Sequence, residues 1–514
     1  MTVQSTMSTV CISICENDWP GVSSAMRDAA EHDCLIEIRL DCLAATSLQN
    51  LETLQPLLAT CKRPTILTYR AAEEGGRSDA EFETRFQFWR DQGLKLPATL
   101  VDLELDIAER LAREEVTVDW SRVICSYHNQ DKFPRDLGGI FSRLAATPAR
   151  VLKVAVRVDD AVQCLPIFDL VEQAKREGRE IIAIGMGEAG VATRILGPAR
   201  GAFLTYGSLG EERATAAGQI SIDKLNGIYR VERITRETAI TGLVGSTVSY
   251  SISPQIHNAA FPSLGIDAVY IPFEVHDLRS FFSLMVHPRT REIDWRLRGL
   301  SITAPHKSNV LAELDWIEPS AQEIGAVNTV VVEDARLCGY NTDAAAFIGP
   351  LKNRFGPLQN SRVAVIGAGG AASAALYGLN QEGATVTVFA RDQLKAKQLA
   401  DRFSASYSEL PGASFAAFDL VVNATPLGTK DLGQLETPAI AQQLRGARLA
   451  YDLVYNPRVT QFLREAQAAG CDTLDGLPML LEQAAHQFQL WTGANPSMEI
   501  MKTAAVEALQ RANA

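Results

Sequence analysis

The stretch RVAVIGAGGAASAALYGLNQEGATVTVFAR, residues 362–391, opens on a β-branched run, turns on glycines, continues as an alanine-rich helical segment and closes on a second β-branched run. That is one βαβ unit, and its first turn carries the spacing G-x-G-x-x-A at Gly367, Gly369 and Ala372. Such a turn sets the backbone N–H groups of the helix N-terminus, here around Gly367, Ala368, Gly369, Gly370 and Ala371, against a pyrophosphate. The second run ends VFAR, so Arg391 stands where an NAD site would carry an acid for the ribose 2′-hydroxyl, which favours NADP(H). Asp392 follows at once as a competing ribose ligand, and a solvated surface charge is the bland alternative for Arg391.

A dinucleotide domain needs only about half of the residues after 239, so the sequence on both sides of this unit must build a separate lobe. We therefore expect a substrate-binding catalytic domain over 239–346, completed by 477–514, and a nucleotide domain over 347–476. Upstream, eight β-rich runs alternate with amphipathic segments: Val10 to Cys15, Leu35 to Asp41, Thr65 to Arg70, Leu100 to Leu105, Val123 to His128, Val151 to Val156, Ile181 to Met186 and Ala202 to Tyr206. Eight strand-helix units in fewer than about 250 residues fit a closed (β/α)8 barrel better than an open sheet, here over 1–228. The polar segment GIYRVERITRET, residues 227–238, breaks the rhythm and reads as a linker or the first strand of a new unit. The expected fold class is α/β throughout: an N-terminal TIM barrel, then a two-lobed dehydrogenase-like half with a Rossmann-type nucleotide domain.

Composition narrows the partners. The chain has 514 residues, 46% hydrophobic and 21% charged, which is ordinary for a globular protein. A net charge of -12 without a local basic run argues against nucleic acid. The segment MTVQSTMSTVCISI lacks the pattern of an export leader, and no apolar stretch approaches the roughly 18 residues that span a bilayer, so a soluble cytoplasmic enzyme is expected. Nine cysteines without a CxxC pair suggest reduced packing thiols in a reducing compartment. Seven histidines include no HExxH or Cys/His cluster, so no metal is expected.

In a barrel the reactive groups gather at the C-terminal ends of the strands. Glu37 and Arg39 interrupt the second run, Arg70 ends the third, His128 ends the fifth, and Lys153 lies inside the apolar VLKVAV. A buried lysine must be paired or lose its proton, and a neutral one attacks carbonyls. The segments EIRLD, TYRAAEEGG, ICSYHN, LKVAV, GVATRILG and AAGQIS, in that order over residues 9–225, resemble type I 3-dehydroquinate dehydratase. The resemblance implies Lys153 as Schiff-base lysine, His128 as general acid/base and Glu74 as the carboxylate orienting it. It also implies Glu37, Arg39, Arg70, Arg194, Thr215 and Gln219 as ligands of the substrate's ring hydroxyls and carboxylate. Thr215 stands where serine is usual, and either supplies a hydroxyl.

Around the βαβ unit, VGSTVSYSISPQIHNAAF, GLSITAPHKSN, GAVNTVV, GYNTD, VNATPLGT, YDLVYNP and GLPMLLEQAAHQF resemble shikimate dehydrogenase in the family's order over residues 241–493. By that resemblance Lys307 and Asp343 form the catalytic dyad, while Ser251, Ser253 and Tyr455 hold the substrate carboxylate. Thr303, Asn328 and Gln483 hold ring hydroxyls, and Asn423, Thr425 and Pro426 lie near the nicotinamide. Ser301 replaces the asparagine common in the family, as in fused plant dehydratase-dehydrogenases. His257, His306 and His486 sit inside these motifs and are expected to pack or hydrogen-bond near the pocket.

These resemblances imply two consecutive reactions. The barrel would dehydrate 3-dehydroquinate to 3-dehydroshikimate, and the second half would reduce that product to shikimate with NADPH. The alternatives keep the folds: an aldolase-like barrel with a quinate-preferring dehydrogenase, or a non-catalytic sensor. The sensor could dispense with Lys153, Lys307 and Asp343, yet all three are present.

Overall fold

A computed structural model describes residues 8–48, 50–430, 433 and 435–513. The first half contains β1 (Val10–Ile14), β2 (Leu35–Arg39), β3 (Thr65–Thr68), β4 (Leu100–Glu104), β5 (Val123–Asn129), β6 (Val151–Arg157), β7 (Glu180–Met186) and β8 (Thr205–Ser208). Neighbours in sequence pair in parallel from β1 to β7, and β1 also pairs with β8. Between β7 and β8 the Phe203 N–H donates to the Ile181 carbonyl at 2.7 Å. Amphipathic helices cover the outside: in Leu105–Arg113 the apolar Leu105, Ile107, Ala108 and Leu111 are buried.

One buried cluster takes a side chain from every strand, among them Cys11, Leu35, Ile66, Leu100, Ile124, Val151, Ile182 and Tyr206. This is the packed interior of a (β/α)8 barrel. Side chains two residues apart share a face of a strand. Ser13, Glu37, Asp102, Ser126 and Lys153 therefore point into the same interior, one layer nearer the C-terminal ends than the apolar plug.

Three expectations need correction. The eighth strand starts at Thr205 rather than Ala202, because Gly201 (φ 110°) ends the helix Val191–Arg200 in a left-handed cap and the Ala202 N–H is spent on Gly197. Of the two readings of residues 227–238, the strand is the one that fails, since short helical turns form at Lys224–Tyr229 and Val231–Arg233. The nine cysteines are not all thiols: Cys15 and Cys42 form a disulfide with Cα atoms 5.3 Å apart. Ile14 is in register with Ile38, so the residue after β1 and the turn after β2 emerge side by side, a proximity that a separation of 27 residues conceals. The thiol argument for a reducing compartment therefore loses part of its basis.

The structure divides into two compact units. One comprises residues up to Thr238 with Ile271–Met285 and Glu292–Arg296, and the other comprises Ala239–Tyr270, Val286–Arg291 and Leu297 onward. Beyond Thr238 the chain forms two six-stranded sheets. In one, Ala239–Gly245 pairs in parallel with Leu297–Ile302, which continues antiparallel to Thr329–Glu333 and Arg336–Tyr340. The other is wholly parallel, in the order Ser406–Glu409, Thr385–Ala390, Arg362–Ile366, Leu420–Asn423, Leu449–Asp452, Asp472–Leu474. That is the 3-2-1-4-5-6 order of a dinucleotide-binding fold, whose ligand sits at the carboxyl ends of the central strands. Among the described residues no helix is long and apolar enough to cross a membrane.

Candidate active sites

All nine barrel residues singled out in the sequence line one cavity at the C-terminal ends of the strands. Glu37 and Arg39 come from β2, Arg70 and Glu74 from beyond β3, His128 from β5 and Lys153 from β6, with Arg194, Thr215 and Gln219 closing the other side. Lys153 is buried and paired: its Nζ donates to Asp102 Oδ2 at 2.8 Å and to the Tyr206 hydroxyl at 3.0 Å, with Glu37 Oε1 at 3.7 Å. Glu37 is itself held by Thr68 Oγ1 (2.8 Å) and by Ser13. Asp41, outside the cavity lining, grips Arg39 through two bonds of 2.8 and 2.7 Å and accepts the Arg70 N–H at 3.2 Å.

His128 Nδ1 lies 3.1 Å from Glu74 Oε2, so the other ring nitrogen is the one left for a substrate. Burial, with the charges of Arg70 and Lys153, pushes the imidazole well below its ordinary value, so it stands neutral and can accept a proton. Burial pushes Glu74 up to about 8 against the pull of Arg70. Arg194 is buried, its Nε has no hydrogen-bond partner among the described residues, and one Nη reaches the Ala217 carbonyl at 3.3 Å. Burial holds this guanidinium down at about 10, with Glu188 opposing. An unsatisfied buried cation facing a cavity is a receptor for an anion. Thr215 and Gln219 bond to one another, the Thr215 N–H donating to Gln219 Oε1 at 2.6 Å.

In the second unit all eight predicted substrate and dyad residues line one cavity: Ser251, Ser253, Thr303 and Asn328 with Tyr455 and Gln483, and the pair Lys307 and Asp343. Lys307 Nζ donates to Asp343 Oδ2 at 2.5 Å, and Asn328 Nδ2 donates to Asp343 Oδ1 at 2.7 Å, so the carboxylate is fixed from both sides. Ser251 Oγ donates to Ser253 Oγ at 3.1 Å, forming a hydroxyl pair at the start of the helix Ser253–Ser263. Ser301 is clasped between the Tyr270 hydroxyl and Gln487 Oε1, both at 2.8 Å.

An adjoining cleft is lined by Gly369, Gly370, Ala371, Thr425 and Pro426, and Thr303, Lys307 and Tyr455 face both spaces. Gly367 has φ 125°, and a Cβ there would come within 2.9 Å of the Ala424 carbonyl oxygen. A Cβ on Gly370 would meet Lys307 at 3.3 Å. The turn is thus a close backbone cradle at the N-terminus of the helix Gly370–Gln381, which fits a pyrophosphate.

Gly367, Ala368, Arg391 and Asn423 do not line this cleft. Asn423 is fully buried and spends its side chain on the loop, donating to Asp452 Oδ1 at 2.9 Å and accepting from the Thr425 N–H at 3.0 Å. Asp392 caps the helix Gln393–Arg402, its Oδ1 accepting the Lys395 N–H at 3.1 Å. Arg391 is exposed directly beyond the carboxyl end of Thr385–Ala390, at the same sheet edge as the glycine turn, because Ile366 is in register with Phe389. His257 packs against Tyr270, Phe488 and Trp491, away from the cavity lining.

Sequence reading missed Asp102, Tyr206, Ser126 and Gln487. Asp102 carried the same signal as Lys153, a charge on an apolar strand.

The type I 3-dehydroquinase model matches residues 10–236, and the shikimate dehydrogenase substrate binding domain matches residues 243–330. The shikimate / quinate 5-dehydrogenase model matches 351–477 and the shikimate 5′-dehydrogenase C-terminal domain matches 476–506. A bifunctional 3-dehydroquinate dehydratase/shikimate dehydrogenase of Arabidopsis thaliana is 33% identical over 491 residues, 91% of this chain and 79% of the relative. A shikimate dehydrogenase (NADP(+)) of Desulforamulus reducens is 40% identical over 291 residues, 52% of this chain and 95% of the relative. With both halves matched in one relative, and each half presenting its own complete cavity, the chain belongs to the bifunctional 3-dehydroquinate dehydratase/shikimate dehydrogenase family.

Proposed function

We propose that the two cavities carry out consecutive reactions, with the barrel over 1–228, the shikimate-binding domain over 239–346 and 477–514, and the nucleotide domain over 347–476. The observation that carries this reading is the convergence of nine side chains on one cavity and eight on the other.

In the barrel, Lys153 loses a proton and its amine adds to the ring ketone of 3-dehydroquinate; expulsion of water leaves an iminium. The iminium draws electrons, so the adjacent C–H becomes acidic and neutral His128 takes its proton. The electron pair returns as the β-hydroxyl leaves with a proton from His128, and hydrolysis frees 3-dehydroshikimate and the amine. Glu74 keeps the imidazole aimed. Arg194 binds the substrate carboxylate through its unsatisfied N–H groups, while Glu37, Arg39, Arg70, Thr215 and Gln219 hold the ring hydroxyls.

In the second unit, the glycine cradle at Gly369, Gly370 and Ala371 would hold NADPH, which would supply a hydride. Ser251, Ser253 and Tyr455 hold the substrate carboxylate, and Thr303, Asn328 and Gln483 hold its hydroxyls. Lys307 faces both the substrate cavity and the nucleotide cleft, so its ammonium lies where negative charge grows on the carbonyl oxygen and can donate the proton. Asp343 fixes Lys307 and takes a substrate hydroxyl. Arg391 would hold the 2′-phosphate of NADPH, and Asn423 shapes the loop that bears Thr425 and Pro426.

The test is to supply 3-dehydroquinate with NADPH and follow nucleotide oxidation. The chain should consume both and release shikimate. Lys153→Ala should stop turnover from 3-dehydroquinate yet spare it from 3-dehydroshikimate, whereas Lys307→Ala should stop both. Turnover of 3-dehydroquinate by Lys153→Ala at the wild-type rate would overturn the reading.

A further inference from the structure

We infer that Asp102, a carboxylate hidden behind the cavity wall, is the fixed counter-ion of the Lys153 nitrogen in its iminium form and positions that nitrogen and Arg70 together. The inference rests on the imine reading above and adds a residue to it. Asp102 lies on β4, is buried, and does not line the cavity, so it cannot be a ligand of the substrate hydroxyls. Its Oδ2 accepts from Lys153 Nζ at 2.8 Å. Its Oδ1 accepts from Ser126 Oγ at 2.5 Å and from Arg70 Nη2 at 2.9 Å. Ser126 is the β5 partner in register with Lys153, so the strand ladder itself places the carboxylate's third donor beside the amine.

From Asp102 the chain of polar contacts continues. Arg70 Nη1 donates to Ser126 Oγ at 2.7 Å and reaches Glu74 Oε2 at 3.2 Å, and Glu74 faces His128 Nδ1 at 3.1 Å. Nucleophile and base, on neighbouring strands, are thus oriented through one buried relay with Asp102 at its centre. The groups facing Lys153 Nζ are Asp102 from β4, Glu37 from β2, Tyr206 from β8 and Cys11 from β1, with Arg70 and His128 completing the surround. Of these, Asp102 is the acid at hydrogen-bond distance, and Glu37 stands off at 3.7 Å. Burial alone would raise the Asp102 carboxyl, but Arg70 and Lys153 hold it well below the usual carboxylate range, so its charge persists wherever the enzyme works.

The chemical consequence follows from charge. Only a protonated imine drains electrons from the adjacent carbon, and a neutral imine does not. An anion fixed at hydrogen-bond distance keeps the proton on the nitrogen at pH values where an unpaired imine would lose it, by about 1–3 pH units. Without Asp102 the amine still condenses, but the electron sink fails as pH rises.

The experiment is Asp102→Asn in the full chain, assayed for dehydratase kcat and KM across pH, with trapping by cyanoborohydride, which reduces iminium but not free ketone. The expected result is a kcat lowered about tenfold or more at neutral pH, an alkaline limb moved toward acid by about 1–3 pH units, and KM changed less than about threefold. A purely structural role would lower kcat without moving the alkaline limb. An unmoved limb in a folded Asp102→Asn chain overturns the inference. A wild-type measurement stands independently of that variant's folding: with 3-dehydroquinate, adduct yield on Lys153 should stay within about twofold from about pH 6 to about pH 9. A steep decline through neutrality would overturn the counter-ion role while leaving the imine itself intact. Absence of any wild-type adduct would instead overturn the imine reading, so the two failures are distinguishable.

Discussion

Replacing Arg194 with methionine should make the free protein more stable and its barrel a poorer binder. Arg194 is 2% exposed, and one of its Nη atoms donates to the Ala217 carbonyl at 3.3 Å. Burial holds its guanidinium at about 10 rather than 12.5. At about 1.4 kcal/mol for each tenfold change in proton affinity, keeping the charge there costs roughly 3 kcal/mol in the free enzyme. Methionine fills much of the same volume without charge, so Arg194→Met should raise the melting temperature by several degrees, at about 2–4 °C per kcal/mol for a domain of this size. The same change removes a two-pronged partner of the substrate carboxylate. Charge-assisted hydrogen bonds are worth about 1.5–3 kcal/mol each, so loss of both should raise the KM for 3-dehydroquinate by about 10²–10⁴-fold. Calorimetry of the free protein and steady-state dehydratase kinetics read the two effects separately. A variant that melts lower than the wild type and keeps its KM would refute the idea that this arginine is held unsatisfied for a ligand.

Three further outcomes follow from the geometry. His257 is fully buried among aromatic rings, and burial lowers it to about 3, so the unfolded chain takes up a proton between about pH 6.5 and 3 that the folded chain refuses. Stability should therefore fall with acidification through that window by about 1.4 kcal/mol per pH unit, and His257→Phe should abolish that part of the slope in acid denaturation. The Cys15–Cys42 disulfide closes a loop with a sequence separation of 27, so Cys42→Ser or reduction should cost about 3–4 kcal/mol in the chain-entropy model, read from denaturant midpoints; identical midpoints with and without reductant would contradict it. Lys307→Ala should lower dehydrogenase kcat by about 10²–10⁴-fold while leaving the dehydratase rate within about twofold, as separate assays with 3-dehydroshikimate and 3-dehydroquinate would show.

Most of this architecture was readable because its signals are local. Each barrel strand is a short β-branched run, and the alternation within LIEIR and VLKVAVR already says that Glu37 and Lys153 share the interior face. The G-x-G-x-x-A turn is local too, and the structure sets it between strand and helix as read. What escaped depends on pairings across strands. Asp102 and Lys153 are 51 residues apart and meet only because β4, β5 and β6 are neighbours, a proximity that LVDLE by itself does not show. Cys15 and Cys42 meet for the same reason at the ends of β1 and β2. Asn423 was placed beside the nucleotide because its motif lies there, yet its side chain turns inward to Asp452 and holds the loop instead.

The central claim, covalent catalysis by a buried amine, is tested most directly by reducing the enzyme with borohydride in the presence of 3-dehydroquinate and mapping the modified peptide by mass spectrometry. The account predicts a stable adduct on Lys153, with loss of dehydratase activity in proportion to labelling and the dehydrogenase rate preserved. An inactivated enzyme labelled at another lysine, or an unlabelled enzyme that dehydrates the substrate at full rate, would contradict it.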